Sequence, residues 1–334
     1  MRQSIDPRAI KINKKGQKKT VCAIIVSYNP DVLLVRSIEA ILDQVDGVII
    51  VDNGSDYANW ETVYSSHGAI FLFQSPKIKI IWNADNFGVG FAFNIGIKKA
   101  KTEGFDFVIL MDQDSVISDN VFPSTVDEYA RLQSSINIGV LSLENREYHY
   151  LQTTNPLTRI SMSLKKIKTA EKYNSHIRQV WSTIFSGMLM DISVFEKVGY
   201  LKEDYFIGAE DTEFCFRIRR NGMNVAQYHT SGAFILHRIG DQEVSNTQEQ
   251  NLLQSWVFPH KPWRHYYIVR NALHTSRLYF STFPRESILL LLSIPIFLSF
   301  EIFAYGPRII KIKFAIRGFI DFLNCKMGKV VCPS

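Results

Sequence analysis

Apolar runs recur along this chain about every thirty residues, the spacing of successive strand–helix units. They start near Thr20, Gly47, Ile78, Phe107 and Ile138. Between them the apolar positions take a helical period over Val32–Leu42, Asn59–Ser66, Gly90–Lys101 and Val121–Leu132. A strand that is apolar throughout, such as Phe107 to Met111, has no polar face to offer to water and must be covered on both sides. Intervening helices supply that cover. The pattern predicts an α/β fold, a doubly wound, mostly parallel sheet flanked by helices.

In such a sheet ligands bind where the strands end. Each run here ends in polar or small residues: Ser27-Tyr28-Asn29, Asp52-Asn53-Gly54-Ser55, Asn83 to Gly96, and Asp112-Gln113-Asp114-Ser115. Asp52 stands where an acid can hydrogen-bond a ribose or a base, although its tetrapeptide also reads as a plain turn. Gly88 and Gly90 leave room for backbone to approach a ligand. Their spacing after the third strand is not the dinucleotide fingerprint. Asp112 and Asp114 must face something positive, because burying unpaired charge is costly. A hard divalent ion bridging to a diphosphate fits the pair, and a solvated loop is the alternative.

The rhythm lapses between residues 144 and 180, which read as an excursion over the site, and resumes around Trp181, Ser186 and Gly187. A helix then opens at Glu210-Asp211 and closes at Asn221-Gly222. Acids in a first turn are stabilised by the helix dipole, and one of them can also face a cleft as a base. Gln227–Leu236 is strand-like, and His237 at its end is either a third metal ligand or a structural histidine. Further on, Trp263, Arg264, Tyr266, Tyr267, Arg270 and Arg277 mix aromatic and cationic groups, as a sugar-acceptor face or an amphipathic packing face would. Ser287 to Phe300 is uncharged but short for a membrane span and contains Pro295, and Arg308–Leu323 is basic and amphipathic. Both segments fit interfacial attachment, with a buried hairpin or homo-oligomer interface as the rival. The chain divides into a basic arm at 1–19, a main domain at 20–255 and a helical, membrane-proximal C-terminal extension at 256–334.

Charge is unevenly spread. The net +6 consists of +6 on residues 1–19 and +8 on 261–334, leaving −8 on the middle. An acidic body with basic ends excludes nucleic acid as the expected partner. It suits an enzyme that handles metal and phosphate centrally and touches an anionic surface with its ends. Cys22, Cys215, Cys325 and Cys332 lack metal-ligand spacing, which predicts a reduced, cytoplasmic setting, and no apolar stretch after the N-terminus reads as a signal peptide.

Taken in order, Val26-Ser-Tyr-Asn, Val51-Asp-Asn-Gly-Ser, Asn86-Phe-Gly-Val-Gly, Met111-Asp-Gln-Asp-Ser, Ser186-Gly, Glu210-Asp-Thr-Glu and His237 resemble the family 2 glycosyltransferases of GT-A fold. The resemblance is strongest to bacterial rhamnosyltransferases of O-antigen and related polysaccharides. It implies inverting transfer from a nucleoside diphosphate sugar, with dTDP-L-rhamnose favoured and a UDP-linked galactofuranosyl or hexosyl donor as the alternative. The implied acceptor is a lipid-linked oligosaccharide at the inner face of the plasma membrane. A noncatalytic nucleotide-sugar sensor is the rival class. By position, Ser27, Asn29, Asp52 and Asn53 would hold the nucleoside, and Asn86, Gly88, Asp112 and Gln113 the ribose and diphosphate. Asp112, Asp114 and His237 would bind Mg²⁺ or Mn²⁺. Asp211, with Glu210 beside it, would be the base. Trp181, Ser186, Gly187, Tyr266 and Arg270 are the acceptor candidates.

Overall fold

A computed structural model describes residues 19–118, 121–147, 172–174, 176–228, 234–237, 260–304 and 306–330. The first half runs β1 (Val21–Ser27), α1 (Val32–Leu42), β2 (Gly47–Asp52), α2 (Tyr57–Ser65), α3 (Ala69–Phe73), β3 (Ile78–Trp82), α4 (Val89–Thr102), β4 (Phe107–Asp112), β5 (Ser115–Ile117) and α5 (Val121–Ser135). The second half runs β6 (Ile138–Glu147), β7 (Lys172–Asn174), β8 (Ile177–Gln179), β9 (Met188–Asp191), α6 (Ser193–Val198), α7 (Glu210–Arg220), β10 (Asn224–Tyr228) and β11 (Phe234–His237). Three helices follow: α8 (Arg264–Tyr279), α9 (Pro284–Ala304) and α10 (Arg308–Leu323).

The main sheet is ordered β3-β2-β1-β4-β9-β6-β10-β8-β7, with β11 beside β5 and β6. Strands β3, β2, β1 and β4 are mutually parallel, as are β6, β10 and β11. Antiparallel β9 lies between the two groups. Every residue of β1 and β2 is buried, because alternate side chains feed two cores. Ala23 and Ile25 join Leu34 and Ile38 of α1 and Phe122 of α5 on one face. Cys22, Ile24 and Val26 join Phe93 and Ile97 of α4 and Phe214 of α7 on the other. Each Val, Leu, Ile or Phe among them contributes about 1.5–3 kcal/mol on burial. Gly96 lets α4 lie close on β1, since a Cβ there would meet Ile24 Cγ2 at 2.3 Å.

The expected elements appear at the expected places, with three differences. The strand expected over Gln227–Leu236 is two strands, β10 and β11, and they pair with different stretches of β6. Order after Trp181 takes the form of β9, an antiparallel strand in a mostly parallel sheet, placed between β4 and β6. Pro295 does not end its helix: α9 runs through it, and Pro284–Phe303 is long and apolar enough to cross a membrane by length and composition. Residues 1–18, 148–171 and Cys332 lie outside the described residues, and so does most of the proposed excursion.

α8 packs against α10, α9 and α7. α10 can press close to it because a Cβ on Gly318 would stand 2.3 Å from Tyr266 O. α9 and α10 are joined by a buried ion pair, Lys311 Nζ to Glu301 Oε2 at 2.7 Å, with His260 Nδ1 2.5 Å from Glu301 Oε1.

Candidate active site

Parallel pairing brings the strand ends level: Ser27 opposes Asp52, Asp52 opposes Trp82, and Val26 opposes Asp112. The polar residues after each strand therefore share one edge of the sheet. At that edge Asp52 is 1% exposed. Its carboxylate accepts from Ser27 Oγ at 3.1 Å, Ser55 N at 2.9 Å and Trp60 Nε1 at 2.8 Å, and from the Ser55 hydroxyl. Four protein donors leave it little capacity for a nucleoside. Asp52 is a hub that fixes the ends of β1, β2 and α2. The open surfaces beside it are Tyr28, 47% exposed, and Trp82, 54% exposed and edge-on to Trp60.

The other expected nucleotide residues form a connected frame. Gln113 binds the backbone of Tyr28 through both ends of its amide, at 2.9 and 3.2 Å, and so ties the end of β4 to that of β1. Asn29, at φ 47°, takes the amide of Asp56 on its side chain. Asn53 donates to Asn86 Oδ1 and Gly88 O and accepts from Asn83 Nδ2 and Phe87 N, which lashes the end of β2 to the loop before α4. Gly88 and Gly90 do make room for backbone, but the backbone is the protein's own. A Cβ on Gly88 would lie 2.6 Å from Phe206 O, and one on Gly90 2.6 Å from Lys202 O. The glycines seat the 201–208 loop.

Asp112 ends β4 and is held from behind. Ser186 Oγ accepts its amide at 2.9 Å, donates to its Oδ2 at 2.6 Å and sits 2.9 Å from Ser115 Oγ. Gly187, at φ 89°, donates its amide to Leu110 O. Ser186 and Gly187 thus aim the acid. Ser186 is fully buried and does not face an acceptor, contrary to expectation. The backbone of His237 is paired with Ser115, one residue past Asp114, which brings β11 to this corner; its side chain lies outside the described residues. Among the described residues no group of three or more metal-ligating side chains is gathered.

Opposite stand the two acids that open α7. Glu210 is 5% exposed, and its Oε2 is buried without a hydrogen-bond partner. Burial first, then the charge of Asp211, push its carboxyl up to about 8; Asp112 adds to the push and Arg264 opposes it. Asp112, far away in sequence, is thus among the charges that act on Glu210. Asp211 is partly exposed, and its Oδ1 accepts from the Thr212 amide at 2.6 Å. The Thr212 hydroxyl in turn is 3.2 Å from Ser182 Oγ. Trp181, next to Ser182, carries the Arg219 guanidinium 3.6 Å above its ring. Tyr266 and Arg270 are buried in the α8 interface, so neither presents a surface to an acceptor.

A family model described as Glycosyl transferase family 2 matches residues 22–199, and the chain belongs to that family. It is a glycosyltransferase, and its sheet joins a parallel half to the inserted antiparallel β9. The chain is 29% identical to the dTDP-rhamnosyl transferase RfbF of Shigella flexneri, over 75% of this chain and 78% of that protein. It is 24% identical to the low-salt glycan biosynthesis hexosyltransferase Agl10 of Haloferax volcanii, over 76% of each. It is 23% identical to the galactofuranosyltransferase GlfT1 of Mycolicibacterium smegmatis, over 67% of this chain and 73% of that protein.

Proposed function

We propose that this glycosyltransferase inverts the configuration of its donor, uses dTDP-L-rhamnose with a divalent cation, and builds a lipid-linked surface polysaccharide of the O-antigen kind. The reading rests on Asp112 at the end of β4, aimed by Ser186, and on Glu210-Asp211 at the start of α7, with Asp112 among the charges that push the Glu210 carboxyl up. Beside these charges Glu210 leaves a buried carboxyl oxygen without a hydrogen-bond partner, and Asp112 and Asp114 are hard oxygen donors of the kind a divalent cation takes. Asp112 and Asp114, with His237 from the neighbouring strand, would hold Mg²⁺ or Mn²⁺. When bound, that ion offsets the negative charge of a nucleoside diphosphate.

Glu210 keeps its proton near neutral pH, so the base is Asp211, the more exposed of the two. Its carboxylate takes the proton of the acceptor hydroxyl as the new C–O bond forms. The bond from the anomeric carbon to the diphosphate breaks on the opposite face, and its electron pair leaves with the nucleotide. Tyr28 and Trp82 offer ring surface to the base. Trp181, on the Asp211 side, offers ring surface to the acceptor. The relationship to RfbF favours rhamnose, and the weaker one to GlfT1 keeps a UDP-galactofuranosyl donor as the second reading.

The setting proposed is the inner face of the plasma membrane. Ile288, Leu292, Ile296 and Phe303 of α9 and Ile309, Ile316, Phe319 and Ile320 of α10 are exposed, and Arg308, Lys313 and Arg317 accompany them. Apolar side chains backed by cations suit an anionic leaflet and a lipid-linked acceptor.

Calorimetric titration of dTDP-rhamnose and UDP-galactofuranose, with and without Mn²⁺, tests the donor. Tighter, metal-dependent binding of dTDP-rhamnose is expected. Asp211→Asn should retain that binding and lose turnover by a factor on the order of 10²–10⁴. Full turnover in that variant discards the mechanism, and preference for the UDP-sugar discards rhamnose alone.

A further inference from the structure

The base of the proposed mechanism stands at the end of an unusual loop. Phe206, Gly208 and Ala209 all lie in left-handed conformations, at φ 65°, 86° and 65°. For residues with a side chain this costs on the order of 1 kcal/mol or more each and persists only where the surroundings enforce it. Glu210 and Asp211 follow directly, so the direction in which Asp211 points depends on what enforces that loop.

Two neighbours on α8 supply the enforcement. Asn271 Nδ2 donates to Tyr205 O at 3.0 Å, Ile207 O at 3.0 Å and Gly208 O at 2.7 Å. Its Oδ1 accepts from Arg270 Nε at 2.9 Å. Arg270 Nη2 reaches Tyr205 O at 3.1 Å and Asp204 O at 3.3 Å, while Nη1 reaches Gly328 O at 2.8 Å and Tyr266 Oη at 3.2 Å. Gly328 N closes the ring by donating to Asp204 O at 2.7 Å. Both side chains are fully buried. Arg270 has only neutral acceptors and the faces of Tyr266 and Tyr267, each 5.0 Å away; no carboxylate of the described residues pairs with it. A buried cation without a counter-ion is a poor way to gain stability. Its planar fork is, however, a good way to hold several carbonyls in fixed directions. The grip has a firm base, because Tyr266 Oη donates to Asp321 of α10 at 2.9 Å.

We propose that Asn271 and Arg270 are positioning residues for the transfer reaction: they fix the 204–208 loop so that Asp211 faces the donor held at Asp112. The C-terminal helices would then be part of the active site as well as a means of attachment. The inference rests on Asp211 as the base.

Asn271→Asp is the discriminating variant. It is isosteric, keeps the acceptor for Arg270 and gives that cation a partner, but it removes the N–H donors to the loop. In the full chain it should melt within a few degrees of the parent and bind dTDP within about twofold. Turnover of dTDP-rhamnose should fall roughly 10- to 100-fold, the scale of a misplaced catalytic group. The loss should vanish in the Asp211→Asn background, because a residue that acts only through Asp211 is not additive with it. Hydrogen exchange of the 204–211 amides should accelerate about tenfold while β1 and β4 do not change. Unchanged exchange in that segment overturns the proposal, and so does an equal loss of turnover with or without Asp211. Asp211→Asn with full turnover would instead sink the base assignment, and the exchange result would still judge the grip. If Asn271→Asp does not fold, Arg270→Lys, which keeps the charge and loses the fork, carries the same comparisons.

Discussion

Among single residues, Glu210 is the most sensitive reporter of the site. Its folded carboxyl titrates at about 8, against 4.5 as its ordinary value. Between those values the folded state holds a proton that the unfolded state gives up, so stability falls as pH rises and then levels off above about 8. In protein freed of metal by chelation, Glu210→Gln should remove that slope. The variant and parent should melt alike below about 4.5. At alkaline pH the variant should melt higher, by roughly a few degrees. Parallel melting curves across the range would show that Glu210 is not buried against charge. Ser186 teaches a different lesson at this scale. It was an acceptor candidate, but its hydroxyl lies behind Asp112 because β9 enters the sheet next to β4.

Among elements, α9 and α10 are joined by chemistry that their apolar composition hides. Burial works against the charge of Glu301, yet His260, His265 and Lys311 hold its carboxyl down to about 2. Lys311, on α10, is itself buried and donates to both the carboxylate and the main-chain oxygen of Glu301. Removing one member strands the other: Glu301→Gln should destabilise the protein by about 3–5 kcal/mol. The paired change Glu301→Leu with Lys311→Met should recover part of that loss, since the apolar pair leaves no stranded charge, although His260 and the Glu301 main-chain oxygen still lose their partners. Thermal denaturation of the three proteins checks this, and a double variant no better than the single one would show that the ion pair itself is needed. The pairing also bears on whether α9 crosses a bilayer, because it commits Glu301 to contacts within the helical unit.

For the whole molecule, the separation of charge predicts behaviour at a surface. Binding of the full chain to vesicles containing an anionic phospholipid should weaken as salt rises. Lys313→Gln with Arg317→Gln should lower the affinity by about 2 kcal/mol, roughly 30-fold, at low salt. Equal binding to neutral vesicles, or no effect of the substitutions, would mean that the exposed apolar face of α9 and α10 meets something other than an anionic leaflet.

The alternation of buried strands and helices was legible in the residues themselves, since a run apolar on both faces can be stable only inside a covered sheet. The acids were legible too, because a carboxylate at a strand end or in a helix's first turn needs a cation, a hydrogen-bond donor or water beside it. What those residues touch was decided by tertiary structure. Asp52, read from its place at a strand end, and Gln113, implied by the resemblance, make their protein bonds to Trp60, Ser55 and Tyr28, partners that no local pattern names. Gly88 and Gly90 read as a ligand cradle but accommodate Phe206 and Lys202. Asn271, more than sixty residues beyond the loop it holds, carried no signal at all. A residue's type limits which bonds it can make, and only the folded chain decides which partners stand within reach when it makes them.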